Sequence, residues 1–202
     1  MSVRPKLCIG VDFDNTLVDY GPVFLKYALR EGWVRPGTAA SKNAVRAAVR
    51  EARGNDAWTE LQRIVYSRAV GEALPCPGSI PFLSWARSER YPVYVVSHKT
   101  AKAASDGVTD LRAPAAAWLS EQGFSPQTVF FEETLEAKVT RIGALECTHF
   151  VDDLPDVLHH PSFPAKTEKI LYARDGENGR LDGLRIFSEW DAITVYLRGC
   201  GA

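Results

Sequence analysis

Short apolar runs alternate with longer amphipathic stretches along most of this chain. Residues 7–11 form an apolar run without polar alternation, which is typical of a strand buried on both faces. Strands separated by helices predict right-handed crossovers, and hence a parallel, Rossmann-like α/β sheet with helices on both faces. Further strands are predicted at 91–96, 128–131, 148–151 and 169–172, and a closing helix near 190–198.

Residues 21–74 interrupt this alternation with helical spacing alone. Within them, Ser41 is placed to cap a helix that ends at Gly54. A stretch rich in proline and glycine follows, as is typical of a linker. The chain is therefore predicted to contain an α/β core domain formed by residues 1–19 and 76–202, and a small helical cap domain formed by residues 20–75.

Composition narrows the range of partners. The 202 residues are 46% hydrophobic and 24% charged, as in ordinary globular proteins. A net charge of −1 gives no reason to expect nucleic acid, and the apolar runs are too short for a membrane span. Residues 1–6 lack the apolar core of a signal peptide. The four cysteines form no CxxC motif, so free thiols and a cytoplasmic location are expected.

Polar side chains follow the predicted strands at the point where each strand ends. Asp12 and Asp14 follow the first strand, Ser97 the second, and Asp152 and Asp153 the fourth. Because ligands bind at the carboxyl ends of parallel strands, these groups are expected to meet. Clustered carboxylates repel unless a cation neutralises them, and ligand sets made of oxygen atoms favour Mg²⁺. A magnesium site of this kind commonly holds a phosphate, which predicts phosphoryl transfer.

Four motifs carry a resemblance to a known family. Asp12-Phe13-Asp14-Asn15-Thr16-Leu17 resembles the first motif, DxDxT, of the haloacid dehalogenase superfamily. Ser97 resembles the lone Ser or Thr of the second motif, and Lys138 the lysine of the third. Asp152-Asp153-Leu154-Pro155-Asp156 resembles the acidic fourth motif, and all four occur in the order of the superfamily. The helical residues 21–74 lie where that superfamily inserts a cap after the first strand.

The resemblance implies a role for each of these residues. Asp12 would be the nucleophile that takes up the phosphoryl group, and Asp14 the general acid and base. The second aspartate also favours the phosphatase branch over carbon–halogen hydrolysis, which has no leaving alcohol to protonate. The implied phosphate-binding residues are Ser97, Lys138 and Asn15, and the implied magnesium ligands are Asp12, Asp14 (through its main-chain carbonyl), Asp152 and Asp153.

Several alternatives stay open on the sequence alone. Lys99 and Lys102 compete with Lys138 for the phosphate, and Asp153 could ligate the metal directly, through water, or orient Lys138. The expected partner is a small phosphorylated metabolite, while the pattern says nothing about oligomeric state. A phosphomutase or phosphotransferase would use the same aspartyl phosphate, and a non-catalytic phospholigand-binding protein could keep the same geometry.

Overall fold

The computed structural model describes residues 7–174 and 183–201 of the chain, and within them the main feature is a parallel sheet. The strands are β1 Ile9–Val11, β2 Val18–Asp19, β3 Leu74–Pro75, β4 Val93–His98, β5 Val129–Glu132, β6 His149–Asp152, β7 Glu168–Tyr172 and β8 Arg185–Phe187. Six of them form one sheet in the order β5-β4-β1-β6-β7-β8, and each neighbouring pair is parallel. The predicted α/β, Rossmann-like fold is thereby confirmed.

Helices separate most of these strands, as the alternating pattern predicted. The helices are α1 Gly21–Arg30, α2 Lys42–Tyr66, α3 Ser79–Ser88, α4 Arg112–Glu121, α5 Leu135–Ala144, α6 Pro155–Leu158 and α7 Trp190–Gly201, with 3₁₀ turns at Val70–Glu72 and Pro126–Thr128. At the start of α5, the Thr134 side chain accepts a hydrogen bond from the Ala137 main-chain N–H at 3.1 Å. This cap fixes where α5 begins relative to the end of β5.

Strand β1 lies inside the sheet between β4 and β6. Ile9 and Val11 are fully buried, which explains the apolar run without alternation. Gly10 is required by close packing, because a Cβ atom there would lie 2.5 Å from the Phe150 ring. Val11 is in register with Val95 and Val151, so the carboxyl ends of β1, β4 and β6 lie at the same edge.

The chain divides into two compact units, which differ from the predicted domains in one long segment and by one or two residues at the other boundaries. The first unit contains the parallel sheet. The second, called the helical unit below, contains α1, α2 and α4. The sequence placed residues 99–126 with the α/β core, whereas Lys99–Pro126 packs within the helical unit. There, the buried Trp118 indole donates a hydrogen bond to the Ala73 carbonyl at 2.8 Å. The first unit is Met1–Leu17, Pro75–His98 and Gln127–Ala202, and the second is Val18–Leu74 and Lys99–Pro126.

Local signals in the helical unit act where the sequence predicted them. The Ser41 hydroxyl accepts a hydrogen bond from the Ala44 N–H at 3.2 Å and caps α2. Gly54 has a φ of +83° and interrupts α2, so two helical segments meet there. Phe24 stacks on Trp58 with ring centroids 4.8 Å apart, which joins α1 to α2.

Three expectations from composition concern the cysteines, membrane-spanning segments and a signal peptide, and the described residues bear on the first two. All four cysteines are free thiols, as predicted. In the described part of the chain, no helix has the length and apolar character needed to cross a bilayer. The expectation about a signal peptide concerns residues 1–6, which lie outside the described residues.

Candidate active site

The carboxyl ends of β1 and β6 bring three carboxylates together. Asp12 directly follows β1, and its N–H donates to the Val151 carbonyl at 2.9 Å. Asp152 is the last residue of β6, and its Oδ1 accepts from the Leu154 N–H at 2.9 Å. One oxygen from each of Asp12, Asp152 and Asp153 lies within 4.8 Å of the others. The predicted convergence of the first and fourth motifs is present.

Lys138 joins two of these carboxylates from the side of α5. Its Nζ lies 2.6 Å from Asp12 Oδ1 and 2.6 Å from Asp152 Oδ2. The lysine is 1% exposed and Asp152 is fully buried. Both hydrogen bonds are charge-assisted and shielded from water, so they fix the carboxylates in place.

The charged side chains of this cluster shift one another's pKa. Burial alone would lower the pKa of Lys138, but the carboxylates of Asp12 and Asp152 outweigh it and raise that pKa. Burial also raises the pKa of Asp152, against the opposing effect of Lys138 and with a further contribution from Asp12. The two shifts have different main causes, namely the carboxylates for Lys138 and burial for Asp152, but in both cases two carboxylates share one ammonium group. The cluster therefore favours binding of additional positive charge.

The loop that carries the first motif is held by hydrogen bonds of its main chain and of the Thr16 side chain. Asn15 adopts a left-handed conformation with a φ of +64°, and the Leu17 N–H donates to the Phe13 carbonyl at 3.1 Å. The Thr16 hydroxyl donates to Asp153 Oδ1 at 3.5 Å. The Trp190 indole, fully buried at the start of α7, donates to the Thr16 carbonyl at 2.9 Å. Trp190 could not be found from the sequence, because a hydrogen bond to a main-chain carbonyl 174 positions away leaves no local pattern.

The other predicted residues lie at the same edge or close to it in sequence. Ser97 is 1% exposed and belongs to β4 itself, one residue before the strand ends. Asp14 is half-buried and outside the group of three carboxylates; its predicted contribution is a main-chain carbonyl. Lys99 and Lys102 belong to the helical unit, where the Lys99 Nζ lies 4.6 Å from the centroid of the Tyr66 ring. Lys138, by contrast, contacts Asp12 directly.

The donor set of this cluster suits a hard divalent cation. Three carboxylates and one ammonium group carry two negative charges when all are ionised, which a divalent ion would neutralise. Their oxygens lie within 4.8 Å of one another, and neither Cys nor His belongs to the group found among the described residues. Oxygen ligands of this kind suit Mg²⁺ better than softer metals. Asp12, Asp152 and Asp153 are accordingly the residues that could hold such an ion.

Comparison with known proteins gives the fold a name. No protein-family model matches the sequence, and no curated protein is significantly similar to it. A HAD family hydrolase from Deinococcus radiodurans R1, solved with bound phosphate and sodium, is similar in structure with a TM-score of 0.62 at 13% identity, over 98% of each chain. A HAD-superfamily hydrolase from Ehrlichia chaffeensis has a TM-score of 0.56 at 13% identity, over 98% of this chain and 99% of that one.

A third solved structure, described as a dehalogenase, has a TM-score of 0.58 at 11% identity, over 96% of this chain and 98% of that one. At such low identities the likeness is one of fold. It extends over nearly the whole length of each protein, and it agrees with the parallel sheet and the acidic edge described above. The chain thus has the fold of the haloacid dehalogenase-like hydrolases.

Proposed function

We propose that this protein is a Mg²⁺-dependent phosphatase that hydrolyses a small phosphomonoester through an aspartyl-phosphate intermediate. The observation that carries the proposal is the environment of Asp12. Its carboxylate lies within 4.8 Å of carboxylate oxygens of Asp152 and Asp153, and Lys138 holds its Oδ1 at 2.6 Å. A buried carboxylate fixed in this way at the edge of the sheet is suited to act as a nucleophile.

The chain's own residues supply the two half-reactions. In the first, an oxygen of Asp12 attacks phosphorus, the ester bond breaks, and Asp14 gives its proton to the leaving alkoxide. In the second, Asp14 takes a proton from water, which attacks the same phosphorus and releases inorganic phosphate and the Asp12 carboxylate. Ser97, Lys138 and the main-chain N–H of Asn15 would bind the non-bridging oxygens throughout.

Asp12, Asp152 and Asp153, with the main-chain carbonyl of Asp14, would hold the metal. A bound Mg²⁺ would shield the negative charge of the phosphate, as required when a carboxylate attacks a dianion. Lys138 contributes to the same shielding, and its raised pKa keeps it protonated across the physiological range. The Thr16 hydroxyl, which donates to Asp153 Oδ1 at 3.5 Å, would help to orient Asp153.

Phosphate ester hydrolysis is favoured over carbon–halogen hydrolysis by Asp14. Protonating a leaving alcohol needs an acid beside the nucleophile, whereas a leaving halide needs none. Asp14 follows Asp12 by two residues in the same loop, and it is the acid that we propose for this step. The similar structures include both a dehalogenase and a hydrolase with bound phosphate, so the comparisons are compatible with either reaction and Asp14 carries the distinction.

The experiment is a phosphate-release screen over a broad panel of phosphorylated metabolites, with and without Mg²⁺. We expect turnover of at least one phosphomonoester in Mg²⁺ and none after treatment with EDTA. Asp12→Asn should remove turnover while the protein stays folded. Asp56→Asn, which changes an exposed carboxylate on α2, is the matched control and should keep full activity.

Two results would contradict the proposal. Activity that survives thorough chelation would exclude the metal, and activity in folded Asp12→Asn would exclude the nucleophile. Release of halide from a haloacid, dependent on Asp12 and without any phosphatase activity, would replace phosphate hydrolysis by dehalogenation.

A further inference from the structure

Two of the four cysteines lie side by side at the amino ends of β1 and β6, away from the acidic edge of the sheet. Cys8 immediately precedes β1, and Cys147 lies two residues before β6. The Thr148 N–H donates to the Cys8 carbonyl at 2.8 Å, and the Cys8 N–H donates to the Thr148 hydroxyl at 3.0 Å. These bonds hold the two stretches of main chain against each other.

The two cysteine side chains belong to one packed cluster. The Cys8 Sγ donates to the Leu145 carbonyl at 3.4 Å, and Cys8 packs against the buried cluster of side chains that contains Cys147. The Cys147 Sγ packs under Gly10, 3.0 Å from where a Cβ atom would stand. Gly10, having no side chain, thus leaves room for sulfur on this face of β1. The register of β1 and β6 places Cys8 opposite Thr148, so Cys147 lies one residue diagonally from Cys8. A strand spacing of about 4.8 Å and a rise of about 3.3 Å per residue separate their Cα atoms by about 6 Å, inside the range of about 4.4–6.8 Å that disulfides span.

The thiols differ in exposure and in acidity. Cys147 is 3% exposed, whereas Cys8 is half-buried and reachable from solvent. The hydrogen bond with Cys147 lowers the pKa of Cys8, with burial acting in the opposite direction. The same contact and burial both raise the pKa of Cys147. Cys8 is therefore the more nucleophilic sulfur at neutral pH, and Cys147 stays protonated beside it.

We propose that Cys8 and Cys147 form an oxidisable dithiol, which a hydroperoxide converts into an intramolecular disulfide. The Cys8 thiolate attacks the outer peroxide oxygen, the O–O bond breaks, and the alkoxide leaves as the alcohol after taking a proton from water. The Cys147 sulfur then attacks the sulfur of the Cys8 sulfenic acid, the S–O bond breaks, and water leaves with the Cys147 proton. Two thiols are oxidised to one disulfide, and one hydroperoxide is reduced to an alcohol.

This site is separate from the proposed phosphatase site. The cysteines lie at the amino ends of β1 and β6, whereas Asp12 and Asp152 lie at the carboxyl ends of the same two strands. No step of the dithiol chemistry uses a metal or a phosphate. The dithiol can therefore be tested without reference to the proposed phosphatase activity, and a negative result for one says nothing about the other.

The test is to treat the full chain with one equivalent of hydrogen peroxide. Its intact mass is then measured and its peptides are mapped. We expect a loss of two hydrogen atoms, one peptide pair joined through Cys8 and Cys147, and full reversal by dithiothreitol. Cys147→Ser should abolish the mass loss and leave a Cys8 sulfenic acid that dimedone traps. Cys200→Ser, which changes another partly exposed thiol, is the matched control and should be oxidised like the parent protein.

A second variant and two contrary results complete the test of the dithiol. Cys8→Ser should also prevent the disulfide, and it provides a second test if Cys147→Ser does not fold. If Cys8 and Cys147 both remain open to alkylation after peroxide treatment, or if the cross-linked peptides contain other cysteines, the proposal is wrong.

Discussion

At Lys138 a charged ammonium group lies almost wholly out of contact with water. It contacts Asp12 and Asp152 at 2.6 Å each, and all three side chains are nearly or fully buried. Such a group is costly to bury alone but stabilises carboxylates that would otherwise repel each other. The identity of this lysine could be predicted from its place in the order of motifs. Its simultaneous contact with both carboxylates could not, because it depends on the packing of α5 against the sheet.

Replacing Lys138 should therefore destabilise the fold as well as the site. Lys138→Met leaves two buried carboxylates without their cation, so the free energy of unfolding in EDTA should fall by about 3–5 kcal/mol. Urea denaturation measures this change. Lys26→Met breaks an ion pair with Glu72 in which the lysine is 66% exposed, and should change stability little. Equal stability of the two variants would show that the Lys138 contacts are not stabilising.

The hydrogen bond and the ring packing of Trp190 can be tested by a single substitution. Its indole N–H bonds to the Thr16 carbonyl, and its ring lies 4.7 Å from that of Phe82. Trp190→Phe keeps an aromatic ring but leaves the Thr16 carbonyl without this donor, which should cost about 1–3 kcal/mol of stability. Because Thr16 also contacts Asp153, titration calorimetry should show weaker Mg²⁺ binding.

Trp85→Phe, on α3 in the same compact unit, is the matched control for this substitution. It should leave Mg²⁺ binding unchanged. If Trp190→Phe binds Mg²⁺ as tightly as the parent protein, the indole is a packing residue with no influence on the site.

Among the elements, those with strong local signals were predictable. The cap at Ser41 and the break at Gly54 are written in single residues whose preferences do not depend on distant partners. Strand β8 was missed, since its three residues are exposed or only partly buried and show no clear period. It is paired with β7, and that pairing is a non-local contact. The four-residue helix α6 is likewise too short to give a pattern.

At the start of β6, His149 should make stability depend on pH. Burial lowers its pKa from 6.5, with Glu168 opposing and Arg185 adding to the shift. The unfolded chain then binds a proton more readily than the folded protein, so stability falls as pH drops below about 6.5. Relative to His149→Gln, the parent protein should lose stability between pH 7.5 and 5.5, by less than about 1.4 kcal/mol per pH unit.

Urea denaturation at several pH values measures this difference. His159→Gln, at an exposed histidine, should keep the pH profile of the parent protein. If the profiles of the parent protein and His149→Gln run parallel, the burial of His149 does not govern the acid side of the stability curve.

Over the whole molecule, the sequence predicted the sheet and its acidic edge but not the full division into compact units. Local sequence preferences do not show which body a helix such as α4 packs against. Its Trp118 side chain bonds to the Ala73 carbonyl, so α4 packs within the helical unit. Substrate identity is not encoded in any motif, and the reaction type that we propose rests on Asp12, Asp14 and Lys138.

The central claim is that Asp12 takes up a phosphoryl group. Acid quenching of a single turnover in Mg²⁺, followed by peptide mass spectrometry, tests it directly, using a phosphomonoester that the screen identifies. Asp14→Asn removes both the acid of the first step and the base of the second. With an aryl phosphate, whose leaving group needs little protonation, it should mainly slow hydrolysis of the intermediate and increase the signal. We expect one phosphoryl group on the peptide that contains Asp12, absent in EDTA and in Asp12→Asn. Turnover of the substrate with that peptide unmodified at every quench time, in both the parent protein and Asp14→Asn, would contradict it.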